Sequence, residues 1–132
     1  MICPLVFTTY IWVILKLTIF RPNTLYNNRQ VNLAIFTSLI DVYKTEEVGV
    51  FLRLFLGNIG WFVPFGFLLP ILWKGKRFLF VLGMGLLFSF CIEVLQFAFR
   101  KGVAELDDLI LNTLGTAVGY LFFVVKSHFR SR

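Results

Sequence analysis

The sequence predicts an all-α integral membrane protein, a four-transmembrane-helix bundle with a kinked second helix and an interfacial segment between helices 1 and 2. Three observations predict it. Hydrophobic residues make up 58% of the chain and charged residues only 15%, against roughly 25% charged in an average soluble domain. That is too little polar surface to cover a water-soluble fold. The apolar residues gather in four runs, over 4–20, 48–73, 78–99 and 107–125, and about 20 apolar residues cross the ~30 Å hydrocarbon of a bilayer. The basic residues cluster in short segments between the runs, where anionic headgroups lie. With 132 residues, the whole chain, 1–132, is one domain by length.

The first run, 4–20, is broken by Lys16, which lies about 6 Å below the Phe20 end and can snorkel to the interface. It lacks a basic leader and a small-residue cleavage site, so a retained helix is expected. Residues 21–47 form a long polar connection, its first half marked as loop by Pro22, Asn23, Asn27, Asn28 and Asn32. From Val31 to Tyr43, Leu33, Phe36, Ile40 and Tyr43 fall on one side, with Ser38 and Asp41 on the other. That spacing predicts a short amphipathic helix lying in the interface, with an ordinary packed loop as the alternative.

The second run contains Gly57, Gly60, Pro64, Gly66 and Pro70 and is expected to bend, starting near Asn58. A tight basic turn at Lys74–Arg77 leads to the third run, and a polar turn from Arg100 to Leu106 leads to the fourth. The Lys74 turn and the C-terminal tail are short and carry basic residues without acids. By the density of lysine and arginine, both termini are expected in the cytoplasm.

Charge and composition also exclude functions. The net charge of +6 reflects headgroup-facing clusters, so no nucleic-acid partner is expected. Cys3 and Cys91 have neither disulfide nor metal-ligand spacing, and the single histidine, His128, sits in the basic tail. No metal and no cofactor is expected from them.

The chemistry gathers at the outer ends of the last three runs. Gly85, Ser89, Glu93, Gln96 and Arg100 form one stripe of the third helix, small at first and then polar. Glu93 lies about 9 Å below Phe99 on a regular helix. An ionisable residue at such depth costs roughly 2.5–3.5 kcal/mol and must face a partner. The fourth helix opens with Glu105, Asp107 and Asp108 and continues to Asn112. Arg53 and Asn58 come from the second helix, and Arg29 and Asn32 from the long connection. The candidate ligand-binding set is therefore Arg29, Asn32, Arg53, Asn58, Glu93, Gln96, Arg100, Asp107, Asp108 and Asn112. The opposite halves of these spans carry no strongly polar residue before their basic ends.

Plainer roles compete at several positions. Asp108 suits a helix N-cap or the positive end of the helix dipole. Gly115 with Gly119, and Gly85 with Ser89, suit close helix packing. Glu93 with Arg53 or Arg100 would make a buried salt bridge. The abundant aromatic residues suit lipid-facing bulk and interface anchoring.

Three ordered motifs resemble those of VanZ-like membrane proteins. Gly57-Asn58-Ile59 with Phe62, Pro64 and Gly66–Pro70 resembles that family's second-helix motif. Ser89, Ile92-Glu93 and Gln96 resemble the third-helix motif, and Asp107-Asp108 through Asn112-Thr113-Leu114-Gly115 to Gly119-Tyr120 the fourth. Arg29 and Asn32-Leu33 match the segment before them, so the resemblance covers about residues 29–120. Ile35 replaces a proline usual in the family, and Glu105 replaces a usual Asp. The resemblance implies a multi-pass protein of the cytoplasmic membrane of a bacterium. The family takes its name from an accessory protein of glycopeptide-resistance clusters that confers teicoplanin resistance, and it implies no particular reaction.

The favoured function is non-enzymatic binding at an outer-facing polar site. The ligand classes are membrane lipids, a lipid-linked cell-wall precursor or a lipoglycopeptide. Arg29, Arg53 and Arg100 would meet phosphate, while Glu93, Asp107 and Asp108 orient those cations and accept hydrogen bonds. One alternative is an intramembrane enzyme on a lipid-linked substrate, with Asp107, Asp108 and Glu93 holding a hard divalent cation. Against it, no nucleophile–base pair is recognisable. Another is a helper subunit packing on a membrane protein partner through its glycine faces. Transport fits least, since no polar path continues across the membrane.

Overall fold

The computed structural model describes residues 2–20, 29–36, 40–41, 43–44, 48–74 and 77–130. Their named elements are α1 (Ile2–Thr18), β1 (Gln30–Asn32), α2 (Val48–Leu72), α3 (Phe78–Phe99), β2 (Val103–Glu105) and α4 (Leu106–Arg130). Phe51–Leu72, Phe78–Phe99 and Leu106–Arg130 are long and apolar enough to cross a membrane. With 17 residues, α1 is about 25 Å long at 1.5 Å per residue, a little under the hydrocarbon thickness. Leucines and phenylalanines such as Leu79, Leu87, Phe90 and Phe122 stand exposed on the outside, as lipid-facing side chains do.

Short turns make α3 antiparallel to both α2 and α4, so α2 and α4 run parallel and form the main interface. Glycine makes that interface possible. A Cβ at Gly115 would strike the carbonyl of Ile59, one at Gly119 the carbonyl of Val63, and one at Gly66 the carbonyl of Thr116. Lipid tails are as apolar as leucine, so close backbone approach and dispersion, rather than water exclusion, hold such helices together. On the other side of α4, Gly85 of α3 makes room for the Thr116 side chain. The apolar core lies between α1, α2 and α3, where Ile14, Phe62, Phe65, Leu69, Val81 and Ile92 are buried.

α2 is helical without interruption through Pro64 and Pro70. Pro64 cannot donate to the carbonyl of Gly60, and the hydroxyl of Tyr10 on α1 donates to the next carbonyl, Trp61, at 2.5 Å.

Two local expectations are corrected. The amphipathic helix does not begin at Val31, because Val31 and Asn32 belong to β1. Helical backbone occurs at Ile40, Asp41, Tyr43 and Lys44, and the expected positions 37–39 and 42 lie outside the described residues. The turn from Arg100 to Leu106 likewise contains a strand, β2, paired in parallel with β1 so that Val31 stands opposite Ala104 and Asn32 opposite Glu105. Backbone groups beside a bilayer need partners, and these two short segments supply each other's. The helix boundaries also move. α1 ends at Thr18 and α4 runs on to Arg130.

Candidate functional site

α3 ends where Arg100 adopts the left-handed conformation (φ 55°) and its N–H turns back to the carbonyls of Gln96 and Phe97. Lys101 N–H also donates to Gln96 O at 2.9 Å, which completes a Schellman-type stop without the usual glycine. Gly102 then passes close over the Gln96 side chain. This reversal sets β2 beside the last turns of α3.

Glu93 finds its partner there. One carboxylate oxygen accepts the backbone N–H of Glu105 at 3.0 Å, and the residue is only 5% exposed. This backbone bond stands where the competing reading had a salt bridge to Arg53 or Arg100, and both arginines are exposed. Among the described residues, no arginine pairs with Glu93, Asp107 or Asp108. Arg29 is also exposed, with its guanidinium 5.9 Å from the Phe97 ring centroid.

The two aspartates opening α4 face different neighbours. Asp107 is 2% exposed, and its Oδ1 accepts the backbone N–H of Phe36 at 2.6 Å. Its Oδ2 is buried without a hydrogen-bond partner among the described residues. Asp108 instead accepts from the Asn58 side-chain amide of α2 at 2.5 Å. Both carboxylates also sit at the positive end of the α4 dipole.

One turn deeper, Asn112 donates to the Ser89 hydroxyl at 2.8 Å. The Thr116 hydroxyl donates to the carbonyl of Asn112 at 3.0 Å. Ser89 and Thr116 are fully buried. Asn112 is therefore spent on zipping α4 to α3. Asn32 lies in β1, and its side-chain oxygen caps the Ala34 N–H at 3.0 Å.

The candidate residues thus sort into an inner layer of Ser89, Asn112 and Thr116, an acidic layer of Glu93, Asp107 and Asp108 with Asn58, and an exposed rim of arginines. Beside the acidic layer lies an apolar groove of about 250 Å³, lined by Val31, Leu33, Phe90, Val94, Phe97 and Leu109 and reached by Glu93. Among the described residues, no three His, Cys, Asp or Glu side chains could together hold a metal ion.

A family model, VanZ/LLP1, matches residues 7–127. The chain belongs to the VanZ/LLP1 family. The match runs from within α1 to near the end of α4, so it takes in every polar residue just described. "Protein VanZ" of Enterococcus faecium is 32% identical over 117 residues, covering 84% of this chain and 64% of that protein. The VanZ/LLP1 chain thus spans under two thirds of that relative's length. No solved structure matches it.

Phe36 and Thr116 are partners that sequence reasoning missed. Thr116 had a signal, since it follows Gly115 and falls four residues after Asn112 on the same stripe. Phe36 contributes a backbone amide, which no side-chain pattern announces.

Proposed function

We propose that this VanZ/LLP1 chain binds an acylated envelope ligand at its polar end. The ligand is a phospholipid, a lipid-linked cell-wall precursor or a lipoglycopeptide, and the role is binding rather than turnover. In this reading all four helices cross the cytoplasmic membrane of a bacterium, α2 bends from near Asn58 through its glycines and prolines, both termini are cytoplasmic, and the polar end faces outward. The family's link to teicoplanin resistance is the phenotype to which such binding would contribute.

The observation that carries the proposal is the position of Glu93. It is a buried carboxylate with no cationic side chain paired to it among the described residues, at the edge of an apolar groove of about 250 Å³. An acyl or prenyl chain suits the groove, and a hydroxyl or ammonium on the headgroup suits the carboxylate. Arg29, Arg53 and Arg100, exposed and unpaired with Glu93, Asp107 and Asp108, suit a phosphate at the rim.

The test is binding of fluorescent polyprenyl phosphate and of teicoplanin to purified protein in nanodiscs, alongside resistance in cells. Glu93→Gln keeps an acceptor for the Glu105 N–H and removes only the charge. Losing one charge-assisted hydrogen bond costs about 1.5–3 kcal/mol, or roughly 10- to 100-fold in affinity. Glu93→Gln should show that loss at unchanged membrane abundance, and Asp108→Asn should weaken binding in the same direction. Wild-type binding and resistance in both variants would overturn the proposal.

A further inference from the structure

The opposite end of the bundle carries a second site. Lys74, Lys126 and Arg130 line a cavity of about 400 Å³ between the C-terminal ends of α2 and α4, over an apolar floor of Pro70, Ile71 and Phe123. The arrangement follows from periodicity. Phe123, Lys126 and Arg130 recur at helical spacing on α4 and meet the Pro70, Ile71 and Lys74 face of the parallel α2. The Lys126 ammonium lies 5.1 Å from the ring centroid of Phe67, which directs that charge against α2 by a cation–π contact.

No acidic side chain of the sequence belongs to this end. The chain's seven acids are Asp41, Glu46, Glu47, Glu93, Glu105, Asp107 and Asp108, so none lies on α2 or on α4 beyond its first turn. The two helix C-termini contribute about half a negative charge each, which leaves the three cations in excess. Trp73, exposed at the same end, has the amphipathic ring that settles at headgroup level.

We propose that this cavity is a binding site for the phosphate of an anionic phospholipid drawn from the surrounding bilayer. The phosphate meets Lys74, Lys126 and Arg130, the Ser127 hydroxyl donates to it, and the acyl chains descend along Ile71 and Phe123. The apolar floor is what selects a lipid over free phosphate. The site does not depend on the acylated-ligand proposal, because none of its residues is shared with the Glu93 end.

The experiment is lipid retention by the purified full chain, read by native mass spectrometry after reconstitution with phosphatidylglycerol or phosphatidylcholine. Lys126→Gln and Arg130→Gln remove pocket charge. Arg77→Gln removes an exposed cation of the same basic end that does not line the cavity. Each pocket substitution should weaken phosphatidylglycerol binding about fivefold, the double variant about 25-fold, while Arg77→Gln and phosphatidylcholine binding stay unchanged. Circular dichroism confirms that each variant is folded, and the single substitutions carry the test if the double one is not. Equal losses for Arg77→Gln and the pocket variants would reduce the effect to diffuse surface charge and overturn the proposal. So would equal retention of the two lipids, or displacement of phosphatidylglycerol by inorganic phosphate alone.

Discussion

The carboxylate of Asp107 holds the backbone N–H of Phe36, 71 positions earlier in the chain, at 2.6 Å. This bond fastens the connection between α1 and α2 onto the first turn of α4. It acts beside the β1–β2 pairing, which fixes the preceding residues to the same region. Phe36 has φ of 58°, a conformation that a bulky residue adopts only where surroundings impose it. Asp107→Ala should therefore release Phe36 and cost about 1–3 kcal/mol of stability. Amide exchange across 33–36 should accelerate, and Asp107→Asn, which keeps an acceptor, should largely restore protection. Unchanged exchange in the alanine variant would show that the ribbon alone fixes the segment.

Asn58 and Asp108 tie the parallel pair α2 and α4 together at their polar ends. Hydrogen bonds between transmembrane helices average about 0.6 kcal/mol and reach about 1.7. The 2.5 Å contact to a carboxylate places this pair toward the upper end. A double-mutant cycle with Asn58→Ala and Asp108→Ala, measured by unfolding in mixed micelles, should give a coupling near 1 kcal/mol. Strict additivity would contradict the contact.

The inner layer makes a different kind of prediction. Ser89→Ala leaves the amide of Asn112, a residue only 7% exposed, without its acceptor. The expected cost is about 1–3 kcal/mol, because an unsatisfied buried donor keeps its whole desolvation penalty. Adding Asn112→Leu removes the stranded donor and should recover part of the loss. A double variant less stable than Ser89→Ala would mean that Asn112 has a further partner.

What the sequence disclosed divides along physical lines. Helices α2, α3 and α4 were legible because hydrophobic length and helical spacing are local signals. The stripes placed Ser89 and Asn112 each about one turn from a glycine, Gly85 and Gly115, but their pairing appears only in the structure, where the packed helices bring the amide to the hydroxyl. The ribbon was not legible. Three-residue strands such as Val103–Glu105 carry almost no periodicity, and their pairing depends on a partner about 70 positions away. The same holds for Glu93. Its depth demanded a partner, and the sequence offered polar side chains from three neighbouring segments, but the group that meets it is a backbone N–H, that of Glu105 just past the α3 stop.

The glycines give the sharpest contrast within one residue type. Gly115 and Gly119 face the backbone of α2, where an added Cβ meets the carbonyls of Ile59 and Val63, whereas Gly57 and Gly83 have nothing within 4 Å. A carbonyl in a packed helix cannot swing aside as a side-chain tip can. Gly115→Ala or Gly119→Ala must then push α4 away from α2, and overpacking of this kind costs about 1–3 kcal/mol. Gly57→Ala and Gly83→Ala meet no such obstacle and should gain up to about 1 kcal/mol from helix propensity. The displaced pair should also lengthen the Asn58–Asp108 contact, so Gly115→Ala should weaken the coupling in the Asn58/Asp108 cycle while Gly57→Ala leaves it intact. Equal unfolding behaviour in all four alanine variants would mean that α2 and α4 do not meet backbone to backbone.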